Sequence, residues 1–289
     1  MSHSRASHSR LTAGRWLSPG FIVDQIQRVD EQSRQERQAC HESELQGQLR
    51  IWKLLAVACL CLLLVHYGKY SANLADLLKW IDGVVEGGRL YRDFRHYEYR
   101  ELVGYVWWGA VNLLGFLIIP MLAVRFWLKE PLAYYGWQAG DVRQHWKGYV
   151  LLASPIMLFA VIASFGDDFS RHYPFYSKAQ RSWFDLLAFE IIYILQFVAV
   201  EFFFRGYLVN GLKRQFGSLS VAVMCLPYLM LHFPKLWPES LGAILFGFFL
   251  GVLALMSRSI WGGVAVHVSI ALTMDIAAML QTGGLPERW

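Results

Sequence analysis

The sequence predicts an all-α integral membrane protein, a bundle of about seven transmembrane helices. Three observations lead there. Of the 289 residues, 55% are hydrophobic and 16% aromatic, while only 17% are charged. Mean hydropathy is +0.32, well off the soluble globular average. The apolar residues are also gathered into runs that approach the roughly 20 residues needed to cross about 30 Å of hydrocarbon.

Taken in order, residues 1–50 are rich in Ser, Gln, Arg, His and Glu and read as a soluble, partly disordered tail, with a short amphipathic helix over "FIVDQIQRVDEQ" as the alternative. No apolar stretch follows the basic start, so no cleavable signal peptide is expected. Residues 51–147 hold two spans, Ile51–His66 and Leu102–Val124, with interfacial loops. The loop between them, with "YRDFRHYEYRE", mixes charge and aromatics as a folded interfacial segment would. Residues 148–289 form a core of five spans: Gly148–Phe165, Phe184–Val209, Ser218–Leu231, Ser240–Met256 and Ile260–Leu280. The third of these is short and contains Pro227, so a tilted or broken helix is expected.

Net charge is +5 and the pI about 9.0. In a soluble chain that would raise nucleic acid as a partner; here no nucleic acid is expected, because basic loops facing the cytoplasm account for it. Arg125, Lys129, Arg143, Lys147, Lys213, Arg214 and Arg258 fall on the side of the N-terminal tail if spans alternate. The N-terminus is therefore expected to be cytoplasmic, in the plasma (inner) membrane. Cys40, Cys59, Cys61 and Cys225 form no CxxC pair and suggest neither a disulfide framework nor a structural zinc site.

Ionisable residues within spans are the informative ones, since each costs at least about 2.5–3.5 kcal/mol to insert. The span carrying "VEFFFRGYLVNGL" holds Glu190, Glu201 and Arg205. Glu201 and Arg205, four residues apart, share a helix face with the acid N-terminal to the base. A structural ion pair and a functional one both fit that spacing. Glu190, eleven residues earlier, returns to nearly the same face. His232 ends the following run, and His267 and Asp275 lie in the last span. Two histidines with a glutamate are the repertoire of general acid–base chemistry. They are also the ligand types of a His2Glu zinc site with an open position.

From about Gly148 to Leu280 the sequence resembles the CAAX prenyl endopeptidase and bacteriocin-processing (CPBP or Abi) family of glutamate-type intramembrane proteases. The family pattern is EExxxR on one helix, FxxxH on the next and HxxxN two helices on. The matching stretches are "VEFFFR" at Val200–Arg205, "YLMLH" at Tyr228–His232 and "HVSIA" at His267–Ala271. "GWQAGD" at Gly136–Asp141 resembles the family's approach to its core. In the family the first glutamate and the first histidine activate a water. That glutamate's position is Val200 here, so a protease reading requires Glu201 to do this work with His232 as partner. The resemblance implies that His267 holds the oxyanion. Arg205 would hold Glu201 in place, and Tyr228 and Asp275 would support the site. Two positions depart from the pattern: Val200 stands where the first glutamate is expected, and Ala271 where the last asparagine is expected.

The resemblance thus implies an intramembrane endopeptidase acting on a membrane protein or lipid-anchored peptide in the bilayer. It implies no cofactor, although zinc at Glu201, His232 and His267 fits the ligand types. The rival from another class is a catalytically inactive scaffold, regulator or immunity protein, which Val200 and Ala271 favour. A proton-coupled transporter would use the same groups as a relay but predicts an internal repeat, and the sequence has none.

Overall fold

The computed structural model describes residues 19–85, 87–235 and 237–289. Ten helices organise them: α1 (Pro19–Ala39), α2 (Glu44–Gly68), α3 (Ser71–Val84), α4 (Leu90–His96), α5 (Arg100–Leu128), α6 (Val142–Ala163), α7 (Trp183–Phe216), α8 (Leu219–Met230), α9 (Trp237–Ser257) and α10 (Trp261–Thr282). No strand occurs among the described residues. Six helices, α2, α5, α6, α7, α9 and α10, are long and apolar enough to cross a membrane. The seventh expected span is α8, whose 12 residues reach only about 18 Å. Pro227 sits in its last turn, where the missing N–H helps end the helix. The chain is a multi-pass, all-α membrane protein.

Within residues 1–50 the described part is largely helical. Residues 1–18 lie outside the described ones, but 19–39 form α1, which docks on the C-terminal end of α7. Its polar composition hides this, because the docking is made by pairs distant in sequence. Asp30 accepts from the Ser218 backbone N–H at 2.7 Å, and Glu36 meets Lys213 at 3.4 Å and the Tyr134 hydroxyl at 3.0 Å. α2 then opens with a capping box, Ser43 with Gln46, which satisfies two of its orphan N–H groups.

α7 is the axis of the molecule. From Ala199 to Leu212 every residue is buried, as expected of a helix apolar on all sides. α2, α5 and α8 surround that segment with Leu54, Cys61, Phe116, Val221 and Met224. Over Phe202–Asn210 the helix widens to π geometry, and the Asn210 side-chain Nδ2 donates to the Arg205 carbonyl at 2.9 Å. Such turns shift the faces that follow and often accompany functional sites. α10 packs between α6 and α7.

One end of the bundle, where α2 starts, α5 and α7 end and α10 begins, is tied by polar contacts. Arg50, 6% exposed, forms a two-pronged pair with Glu130 (2.9 and 2.8 Å) and donates to the Gly211 carbonyl at 2.6 Å. Glu130 lies beyond the end of α5. Its burial alone would favour the neutral acid, but the hydrogen bonds and charge of Arg50, with Tyr135 and Arg214, hold its carboxyl below the usual range. At the other end, the segment between α6 and α7 folds into an aromatic cluster. Phe175 stacks on Tyr193 at 5.5 Å, and its carbonyl accepts from the Tyr105 hydroxyl at 2.9 Å. This closes the bundle on that side.

Candidate active site

Glu201, at the start of the π segment, is fully buried, as is Arg205. Arg205 Nη1 lies 3.1 Å from Glu201 Oε1. No charge in that position is tolerable without partners, and two others arrive from neighbouring helices. From α10, His267 Nδ1 comes within 2.8 Å of the same carboxylate oxygen. From α8, the Tyr228 ring lies 4.3 Å from the Arg205 guanidinium, a cation–π contact in a dry environment. The Glu201 contacts are close but not aligned as linear hydrogen bonds, so both its oxygens keep unsatisfied acceptor capacity. A buried carboxylate with that capacity is equipped to receive a proton or a donor.

The approach of α10 to Glu201 depends on a residue that has no side chain. A Cβ on Gly263 would collide with Glu201 Oε2 and lie 2.7 Å from Cδ. The neighbouring Gly262 accommodates the Tyr149 ring of α6 in the same way. Tyr149 hydrogen-bonds at 2.9 Å to Ser257. The two glycines were visible in "WGGVAVH", but only three-dimensional packing shows that they admit the carboxylate and the ring.

His267 is held by a contact at Nε2 and by two aromatic rings. Its Nε2 lies 3.1 Å from the Tyr228 hydroxyl. Phe197 of α7 stacks on the imidazole at 5.3 Å between centroids and 13° between planes, and Phe246 of α9 meets it edge-on at 5.1 Å. Neither aromatic was singled out from the sequence, since nothing in their spacing marks them among so many phenylalanines.

His232 lies just past the end of α8, outside the spans. Its Nδ1–H donates to the Tyr228 carbonyl at 2.9 Å, leaving Nε2 free to accept. Burial pushes its imidazolium down to about 4, with Lys235 adding repulsion against the backbone hydrogen bond, so the ring is neutral at physiological pH.

Among the expected site residues, Glu201, Arg205, Tyr228 and His267 thus form one connected cluster, with His232 attached through Tyr228. It is His267, rather than His232, that touches Glu201. Asp275 is elsewhere. It accepts from the Phe175 N–H at 2.9 Å, two helical turns from His267. It therefore anchors the closing segment and has no contact with His267. Val200 and Ala271, the two departures, are 6% exposed and packed in apolar clusters. Among the described residues no three His, Cys, Asp or Glu side chains converge as metal ligands.

No curated protein and no solved structure matches the chain. The family model described as Type II CAAX prenyl endopeptidase Rce1-like matches residues 181–273. That stretch contains Glu201, Arg205, Tyr228, His232 and His267, and ends two residues before Asp275. The segment that builds the cluster is thus the segment that resembles a CAAX prenyl endopeptidase.

Proposed function

We propose that this protein is a glutamate-type intramembrane endopeptidase that cleaves a peptide bond of a membrane-associated substrate, a prenylated C-terminal peptide being the first candidate. The observation that carries this reading is the Glu201–His267 contact at 2.8 Å inside a dry bundle. A buried carboxylate beside an imidazole has the composition of a general-base pair. In the step envisaged, Glu201 takes a proton from water as the hydroxide attacks the substrate carbonyl. The resulting oxyanion collapses, the C–N bond breaks, and the proton passes to the leaving amine. Arg205 keeps Glu201 oriented, and the free Nε2 of His232 offers a second acceptor at the mouth of the site. His267 is the partner of Glu201 in this reading, since its Nδ1 lies 2.8 Å from the carboxylate. The reaction needs no cofactor. We place the protein in the plasma (inner) membrane with the N-terminus cytoplasmic, on the strength of its basic loops.

The test uses purified protein in nanodiscs with a farnesylated peptide ending in a CAAX sequence, followed by mass spectrometry. Cleavage that survives chelator and is lost in His267→Ala supports the proposal. Cleavage abolished by chelator and restored by zinc contradicts its metal-free chemistry.

A further inference from the structure

We propose that Tyr228 is the positioning residue of this site, its hydroxyl donating to His267 Nε2 and so fixing the tautomer that carries its proton on Nδ1, the nitrogen beside Glu201. Only a nitrogen that carries a proton is stable 2.8 Å from a carboxylate oxygen, because two lone pairs would repel there. With the proton on Nδ1, Nε2 of the neutral ring is an acceptor, and the Tyr228 hydroxyl stands 3.1 Å from it. The hydroxyl therefore donates.

Tyr228 is itself held. It is 3% exposed, Phe204 meets its ring edge-on at 5.2 Å, and the guanidinium against it belongs to Arg205, the partner of Glu201. One arginine thereby fixes both ends of the chain Glu201, His267, Tyr228. The same residue orients the second histidine, since its carbonyl receives the His232 Nδ1–H. On α10 nothing can substitute. One turn after His267 stands Ala271, which has no polar atom on its side chain and packs into the cluster of Phe189 and Tyr193.

The rate consequence rests on the hydrolytic reading above; the tautomer is a property of the resting protein. The experiment combines two readouts on wild type and Tyr228→Phe, which removes one oxygen and keeps the ring. Nitrogen-15 NMR of histidine-labelled protein, with His267 assigned by its loss in His267→Gln, should show wild-type Nδ1 protonated and Nε2 bare. In Tyr228→Phe the Nε2–H form should gain population. In cleavage assays kcat should fall about tenfold, the worth of one hydrogen bond, at unchanged KM and with a displaced pH profile. A wild-type His267 that carries its proton on Nε2 overturns the proposal whatever the variant does. An unchanged tautomer ratio in Tyr228→Phe overturns it too. The predicted tautomers in a protein that cleaves nothing would uphold the positioning role and dismiss the hydrolytic reading.

Discussion

Gly263→Ala adds one methyl group where α10 meets Glu201, and the structure specifies what it hits. Inside a helix, glycine is less favourable than alanine by about 1 kcal/mol, so on local grounds the substitution stabilises. Here the new Cβ falls 2.7 Å from Glu201 Cδ and closer still to Oε2. The carboxylate is the far end of a side chain, but it is not free to yield, because Arg205 and His267 both hold Oε1. Either α10 retreats or the carboxylate rotates away from His267. Overpacking of this kind costs about 1–3 kcal/mol, which outweighs the helix gain. A displacement near 1 Å in a catalytic pair costs roughly a hundredfold in rate. Gly242→Ala on α9 is the control, since its Cβ would meet nothing within 4 Å. Thermal unfolding and kcat of both variants in nanodiscs check this. Gly263→Ala should unfold at lower temperature and lose about two orders of magnitude in kcat, while Gly242→Ala should match or exceed wild type. Gly263→Ala with wild-type kcat and stability would refute the placement of Glu201 against α10.

Two further outcomes follow from groups around the cluster. Asp275→Ala strands the Phe175 N–H, a loss of about 1–3 kcal/mol. Limited proteolysis should then cut the 164–182 segment faster, with the activity of the intact fraction preserved. His232 is neutral in the fold down to about pH 4 but charges below about 6.5 when unfolded. The unfolded state therefore takes up the proton first, and stability conferred by the neutral ring is complete above pH 6.5 and lost progressively down to about pH 4. Melting curves of His232→Gln should lack part of that slope, and equal slopes in the two proteins would exclude burial as its cause.

The spans were legible in the sequence because apolar runs of the required length are a direct consequence of the bilayer. α1 was legible only as the amphipathic stretch "FIVDQIQRVDEQ"; its docking was not, because that depends on Asp30 with Ser218 and Glu36 with Lys213, pairings across most of the chain. The Glu201–Arg205 pair was legible from its four-residue spacing, which survives the widened turn. Which histidine turns inward was not. Periodicity assigns faces on each helix separately, and the meeting of α7 with α10 is set by the π turn after Glu201 and by the absence of a side chain at Gly263. Val200 reads as a missing acid in the motif. In the fold it is a core residue of the cluster around α7, about 100° around the helix from Glu201, which points toward His267.

Glu201→Gln tests the account most directly, because the amide keeps the shape and much of the hydrogen bonding while removing the base. Wild type and variant, purified in nanodiscs and matched for melting temperature, would be assayed for cleavage of the same farnesylated peptide by mass spectrometry. The account predicts wild-type product that accumulates with time and a variant slower by at least about a hundredfold, in the range of general-base contributions. Equal cleavage by the two proteins would contradict it, and would remove Glu201 from the chemistry.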